Sequence, residues 1–536
     1  MNKKSALFCL VLGAVYSLSF APGPLPSILL PWIQVLALAW LVHKIVRADS
    51  SRQACAIGAL FGLGTFVTGL YWLTISMHYF GGMPMIMAIV ALIGLSAYLA
   101  LYPALSAWAL RMLWGKQHEM AASSLRVIGL SLLWASTWTL GEWLRATVLT
   151  GFAWLNTAAG QVEGWLSGWS AWIGPYGVTF LTAWTAAALA ATLASTSAQG
   201  GAHFKGARAI PLVIAGVLCA LGAVLGQLRI SQPIGTPLVI RLVQGDVSQA
   251  DKFSSAGFAK AMDLYQSLAA HRQNEQSPMP DLILMPETVM TRMPHQIPET
   301  VWDSWIRIAR QTQSVLMMGS PMPGPNTGQY TNSVIAIHGQ DHPQALVSGQ
   351  VSGRYDKQHL VPFGEFVPSG FRWFVDMMNI PLGNFSRGAS DQLPLTVQTQ
   401  SIAANICYED VFGEELLPAV RQGATILANF SNLGWFGNSA ALRQHWQMAR
   451  LRAMESQRPM VRSTNTGMTG AIDELGQPIA VLPTMSAGYV DVQVQGQTGL
   501  TPYVRTGNAP VLLLCMLIIL IATLRRVRHR SHHRTV

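Results

Sequence analysis

Seven long apolar runs crowd into the first 229 residues, and an eighth stands alone near the end, after a polar stretch of residues 230 to 507. A membrane-crossing helix needs about 20 consecutive apolar residues. On that measure the runs lie at roughly 5–20, 26–46, 54–77, 84–114, 124–146, 170–196, 209–229 and 509–524. Charged residues make up only 11% of the chain against 51% hydrophobic, which is membrane-protein composition. The pattern predicts a multi-pass α-helical membrane bundle of about eight helices, with one large extramembrane domain inserted before the last of them. The first run, MNKKSALFCLVLGAVYSLSFAPG, also has the look of a secretory signal. We read it as a retained helix, because a second apolar run follows at once and no clean cleavage site is present.

Lysine and arginine collect in cytoplasmic loops. Lys3 and Lys4 precede the first run, Lys44, Arg47 and Arg52 follow the second, and Arg111, Lys116 and Arg126 separate the fourth from the fifth. Lys205 and Arg208 lie between the sixth and seventh. The alternate loops, APGPLPS and ISMHYFGGMP, carry neither residue type. Both termini are therefore expected in the cytoplasm and the 230–507 domain across the membrane, in the periplasm if the membrane is a bacterial inner membrane. The net charge of +10 is a positive-inside signature and no pointer to nucleic acid. The three histidines of the basic tail lack a cysteine or acidic partner, so no metal is expected. Glu142 and Arg145, near the end of the fifth run, are expected to face the interface.

Within the polar stretch, β-rich runs such as PLVIRLVQGDV, DLILMPETV, SVLMMGSPM, TNSVIAIHG, SIAANICYED and ATILANFSN alternate with helical ones. That alternation predicts an α/β layered domain. Three polar residues stand at or just beyond strand ends, where chemistry collects in such folds. Glu287 follows DLILMP, Lys357 follows VSGRYD, and Cys407 ends SIAANI. Four of the five cysteines (Cys9, Cys55, Cys219 and Cys515) lie in apolar runs, whereas Cys407 sits beside acids. With one cysteine in the domain, an internal disulfide is excluded. Taken singly, each residue has an ordinary explanation: a small core thiol, a helix-start acid, a solvated lysine. Together they form a nucleophile, a base and a cation able to hold an oxyanion. Glu365 and Glu409 are candidate neighbours for the base.

With their flanks, Glu287 in LMPET, Lys357 in YDKQHLVPFGEFVP and Cys407 in NICYED resemble the Glu-Lys-Cys triad of the nitrilase, or carbon–nitrogen hydrolase, superfamily, whose domain is an αββα sandwich. Seven apolar spans before that domain, one after it, and HLVPFGEFVP resemble the apolipoprotein N-acyltransferase family along essentially the whole chain. The resemblance implies a membrane bundle (1–229), a periplasmic catalytic domain (230–507) and a final helix with a basic tail (508–536). It implies acyl transfer from a phospholipid to the N-terminal amine of a diacylglyceryl-modified lipoprotein, through a thioester on Cys407, with no cofactor and no metal. A monomer is expected. Glu365, Pro368, Tyr408 and Glu409 match the family's supporting residues. Phe253 stands where the family often has tryptophan, and Leu433 and Gly434 separate Asn432 from Trp435 in place of a common Asn-Asp pair. These departures bear on substrate contacts at Phe253 and Trp435.

The stretch SGFRWFVDMMNIPLGNF carries Phe371, Trp373, Phe374, Met377, Met378 and Phe385, and reads as a lipid-contacting arm or as a segment packed on the domain core. The tryptophan-rich GFAWLNTAAGQVEGWLSGWSAW reads equally as an interfacial belt or as core. Two other functions fit the same residues less well. A membrane-anchored amidase would resolve the acyl-enzyme with water, and a silent lipid-binding scaffold would have no need of all three triad residues.

Overall fold

The computed structural model describes residues 1–115, 124–193, 202–272, 274, 278–375 and 385–532. Lys116, Met377 and Met378 lie outside the described residues, as do the side chains of Lys205, Arg208 and Phe374. The chain forms two units: residues 1–71, 89–228 and 506–536, and residues 72–88 with 229–505.

In the first unit, a helix occupies each apolar run, including Lys3–Ser17, Ser124–Thr147, Ser170–Leu193 and Ala202–Leu225. Three spans are long and apolar enough to cross a membrane: Ser27–Val46, Met85–Trp114 and Ala509–Arg528. They become four if Ser51–Gly69 and Leu73–Phe80 count as one broken span. Three or four among the described residues, set against about eight expected, is a correction with visible causes. Lys3–Ser17 has only 15 residues, and Ser170–Leu193 breaks at Gly174 (φ 67) before Pro175. The apolar part of the seventh run is confined to Ile210–Leu225.

Close helix contact in this unit depends on small residues, as in other membrane proteins. A Cβ on Gly13 would lie 1.9 Å from Phe61 O, and one on Gly64 would lie 2.0 Å from Leu10 O, so Lys3–Ser17 and Ser51–Gly69 meet backbone to backbone. Glu142 and Arg145 do not face an interface, contrary to expectation: both are buried. Each has internal partners that compensate for lost water. Glu142 accepts from the Thr157 amide (3.0 Å) and hydroxyl (2.7 Å), while Arg145 donates to the Phe152 (2.6 Å) and Trp154 (2.7 Å) carbonyls.

The second unit is a four-layer sandwich. Its twelve main strands are β1 (Leu238–Gln244), β2 (Leu282–Leu284), β3 (Val315–Pro323), β4 (Tyr330–Ile337), β5 (Gly353–Asp356), β6 (Leu395–Val397), β7 (Gln400–Ile406), β8 (Ile426–Ser431), β9 (Met460–Thr464), β10 (Gly470–Ile472), β11 (Pro478–Val481) and β12 (Gly488–Val494). One six-stranded sheet runs β12-β1-β2-β3-β4-β5 and the other β11-β10-β9-β8-β7-β6. Each has a parallel trio at its centre, β1-β2-β3 and β7-β8-β9, with antiparallel strands outside. Strands covered on both faces read as continuous apolar runs, as LIL does, and ILANF departs from it only at Asn429.

Three cores glue the layers. Leu242, Leu284 and Val334 of one sheet meet Ile406, Ala428 and Phe430 of the other. Helices α1 (Ser255–Ala270) and α2 (Glu299–Thr312) cover the first sheet's outer face, with Trp302, Trp305, Ile306 and Ala309 along one stripe at helical spacing. Helices α3 (Gly413–Arg421) and α4 (Ala440–Ser456) cover the second through Leu417, Val420, Trp446, Ala449 and Ala453. Side-chain caps start two of these helices, Ser254 accepting from the Gly257 amide and Ser439 from the Ala441 amide.

Candidate active site

The chemistry-bearing residues stand where strands stop. Cys407 comes directly after β7 and opens a short 3-10 turn, Cys407–Val411. Its φ of 54° turns the chain sharply out of the sheet. Lys357 follows β5, its amide donating to Asn332 O (2.8 Å). Glu287 lies three residues past β2, on a segment seated against β3 at Gly319. Glycine is required at that seat, because a Cβ there would lie 2.3 Å from Thr288 N and 2.6 Å from Glu287 Cα.

The fold brings Glu287, Lys357 and Glu365 into one buried cluster, with Cys407 and Glu409 within reach of its charges. Lys357 Nζ lies 2.9 Å from Glu365 Oε1 and 3.5 Å from Glu287 Oε1. Asn332 donates one N–H to each of the same two carboxylate oxygens, both at 2.7 Å. Glu287 Oε2 accepts from the Asn432 amide at 2.9 Å, and Glu365 Oε2 from the Val361 amide at 2.8 Å. Burial works against the Lys357 charge, but Glu365 and then Glu287 outweigh it and hold the ammonium protonated beyond the ordinary lysine range. Cys407 lies within the field of this cluster. Burial, reinforced by the Glu287 carboxylate, pushes its thiol well above the usual value, and Lys357 only partly offsets them.

Glu409 ties two strand ends together. Its Oε2 accepts from the Ile406 amide (2.6 Å) and the Tyr355 hydroxyl (3.0 Å), and its Oε1 from the Gln358 (2.6 Å) and His359 (3.1 Å) amides. The residue before the cysteine is thus fastened to the residues after the lysine. Burial pushes the Glu409 carboxyl up to about 7, against the pull of the Ile406 amide and Lys357. Tyr408 is buried with its ring edge-on to Phe412 (5.1 Å) and His359 (5.6 Å).

The remaining expected residues lie outside this cluster of contacts. Phe253 is 45% exposed, Pro368 is partly exposed, and Trp435 meets Phe80 edge-on at 5.8 Å. Trp435 belongs to a turn, Gly434–Phe436, against which residues 72–80 pack: Trp72 meets Phe436 at 4.6 Å and donates to Gln444 Oε1 at 3.1 Å. Two residues in contact with Glu287 drew no attention in the sequence. Asn332 was detectable as a lone asparagine on the inter-sheet face of β4, in register with Val334 and Ala336. Lys252, buried with its ammonium 3.5 Å from Glu287 O, carried no such signal. No group of three or more metal-binding side chains occurs among the described residues.

Residues 12–188 match the family model of the apolipoprotein N-acyltransferase N-terminal domain, and residues 240–503 that of carbon-nitrogen hydrolase. The apolipoprotein N-acyltransferase of Bordetella bronchiseptica is 47% identical over 531 residues, covering 97% of this chain and 96% of its own. That of Ralstonia nicotianae is 40% identical over 526 residues, covering 97% and 93%. The solved structure of Saccharomyces cerevisiae Nit3, a member of branch 10 of the nitrilase superfamily, aligns with 50% of this chain and 93% of its own at a TM-score of 0.37 and 17% identity. Similarity of this extent, end to end, means that the chain belongs to the apolipoprotein N-acyltransferase family, acyltransferases of the carbon–nitrogen hydrolase superfamily.

Proposed function

We propose that this protein moves an acyl chain from a membrane phospholipid to the α-amino group of a diacylglyceryl-cysteine lipoprotein, by ping-pong chemistry through a thioester on Cys407. The observation that carries the reading is the buried arrangement of one ammonium, Lys357, between Glu287 and Glu365, with Cys407 within its field. Glu287 takes the thiol proton as sulfur attacks the ester carbonyl. Lys357 and the Tyr408 amide hold the tetrahedral oxyanion. The C–O bond breaks, the lysophospholipid oxygen takes the proton from Glu287, and the acyl group remains on sulfur. The lipoprotein amine then attacks the thioester and gives a proton to Glu287. Collapse forms the amide, and the proton returns to the departing sulfur. Glu365 and Asn332 keep Lys357 and Glu287 in place through both halves, and Glu409 keeps the two strand ends in register.

The organisation that serves this chemistry is a bundle over 1–229, a periplasmic catalytic domain over 230–507 and a final helix with its tail over 508–536, held in the inner membrane with both termini in the cytoplasm. The asymmetry of lysine and arginine between alternate loops supports that orientation. Phe371 and Trp373, 46% and 62% exposed, suit a segment that touches lipid, as does exposed Phe253. Every group in the catalytic scheme comes from one chain, so a monomer suffices.

Intact-protein mass spectrometry after incubation with a defined phospholipid tests the reading. A gain of one acyl chain, removed by hydroxylamine and absent from Cys407→Ala, is expected. Folded protein that gains no adduct from any of several phospholipids would refute the covalent lipid mechanism. An adduct that releases free fatty acid and never acylates a lipoprotein peptide would favour the amidase instead.

A further inference from the structure

Cys407 sits at a φ of 54°, a left-handed conformation that L side chains disfavour. Such a backbone persists only where its surroundings hold it. The Cys407 carbonyl accepts two side-chain hydrogen bonds, from Asn429 Nδ2 at 3.2 Å and from His445 Nε2 at 3.0 Å. Asn429 projects from β8 beside the cysteine strand and is itself held by Asn405 Oδ1 at 2.6 Å. His445 comes from α4, the helix covering that sheet, and its side chain is fully buried.

The protonation state of this histidine follows from its neighbours. Arg462 Nη2 lies 2.7 Å from His445 Nδ1, and a guanidinium can only donate, so Nδ1 is the acceptor and Nε2 carries the proton. Arg462 also pairs with Asp410 Oδ2, and Asp410 Oδ1 lies 2.6 Å from His445 Nε2. Burial keeps the imidazole below its usual pKa, with Asp410 pulling the other way and Arg462 helping to depress it. The imidazole is a neutral donor with both nitrogens engaged, and so it is no proton shuttle. The cluster of Asp410, His445 and Arg462 is charge-balanced, and its Nε2–H lies between Asp410 Oδ1 at 2.6 Å and the Cys407 carbonyl at 3.0 Å, to which it donates.

We infer that His445 is a positioning residue for the acylation of Cys407: with its tautomer set by Arg462 and Asp410, it anchors the Cys407 carbonyl and so holds the nucleophile's left-handed turn. This rests on the reading of Cys407 as the nucleophile. Arg462 and Asp410 act through His445.

The experiment compares His445→Gln, whose amide N–H can replace Nε2–H, with His445→Asn, which places its N–H nearer the Nδ1 position. The readouts are the rate of acyl-enzyme formation from a defined phospholipid, followed by intact mass, and the pH profile of Cys407 alkylation by iodoacetamide. Thermal unfolding certifies that both variants are folded. His445→Asn is expected to form the acyl-enzyme about tenfold more slowly than wild type at saturating lipid, and His445→Gln within about threefold of wild type. Alkylation of Cys407 should slow in the asparagine variant across the pH range and recover in the glutamine variant. Equal acylation rates in the two variants, or a wild-type rate in His445→Asn, would overturn the inference. A wild-type protein that never acquires the adduct would instead bring down the nucleophile reading itself, and this inference with it.

Discussion

Removing Asn332 tests whether Glu287 and Glu365 work as a held pair. Asn332→Ala deletes two hydrogen bonds of 2.7 Å, one to each carboxylate, and spares the backbone bond from Asn432 to Glu287 and the Val361 bond to Glu365. A hydrogen bond to a charged group contributes about 1.5–3 kcal/mol. Glu287 thereby loses one of its two short donors and retains the Lys357 ammonium at 3.5 Å. If that loss appears wholly as misplacement of the base, acyl-enzyme formation slows roughly 10- to 150-fold, at about 1.4 kcal/mol per factor of ten. Asn332→Asp sharpens the test. It replaces the donor by a third carboxylate beside Lys357, so the variant is expected to be slower than Asn332→Ala at pH 8. It should regain rate as the pH falls, because a protonated aspartic acid can again donate. Quenched-flow intact mass measurements from pH 5.5 to 8.5 follow both variants. If Asn332→Ala acylates within twofold of wild type, the bridge between the two carboxylates is irrelevant and the reasoning fails.

Gly319→Ala would place a methyl group 2.3 Å from Thr288 N and 2.6 Å from Glu287 Cα, so the base-bearing segment must shift; a stability loss of about 1–3 kcal/mol with slowed acylation is expected, and an alanine variant unchanged in both would refute the close-approach argument. Lys252 is fully buried, and burial pulls its ammonium down to about 8, Glu287 partly opposing. Its folded pKa lies below the unfolded value of about 10.4, so its contribution to stability is present above that value and is lost as the pH falls through about 8, by an amount on the order of 3 kcal/mol. Thermal unfolding in detergent should show wild type gaining on Lys252→Met between pH 8 and 10; parallel curves would contradict the assignment.

How far the sequence alone reached depended on what kind of partner each residue has. Glu287, Lys357 and Cys407 stood out because each lies at or just beyond the end of a strand and their flanks LMPET, YDKQHLVPFGEFVP and NICYED resemble a known triad. Eight strands, β1–β4, β7–β9 and β12, were legible as β-rich apolar runs, and helices α1, α2 and α4 as the helical stretches between them. Short strands such as β6 and β10, three residues each, are too brief to show a period, and only their neighbours in the sheet define them. The bundle was legible in composition but not in span count. Nothing local tells a continuous apolar helix from one broken at Gly174, and the burial of Glu142 and Arg145 depends on Thr157 and on carbonyls at 152 and 154.

The supporting groups of the site were hidden for a deeper reason. Three of the four donors to Glu409 are backbone amides, of Ile406, Gln358 and His359, and one of the two donors to Glu287 Oε1 and Oε2 is the backbone amide of Asn432. A backbone amide is the same at every residue except proline, so no side-chain pattern encodes it. What encodes it is the path of the chain: the φ of 54° at Cys407, the seat at Gly319 and the register that sets β7 beside β8. The candidate reactive residues are therefore readable as letters, whereas the hydrogen bonds that surround them are a property of the fold. Substitutions that bend the path without touching a polar side chain, as at Gly319, should impair the chemistry as surely as those that remove a carboxylate.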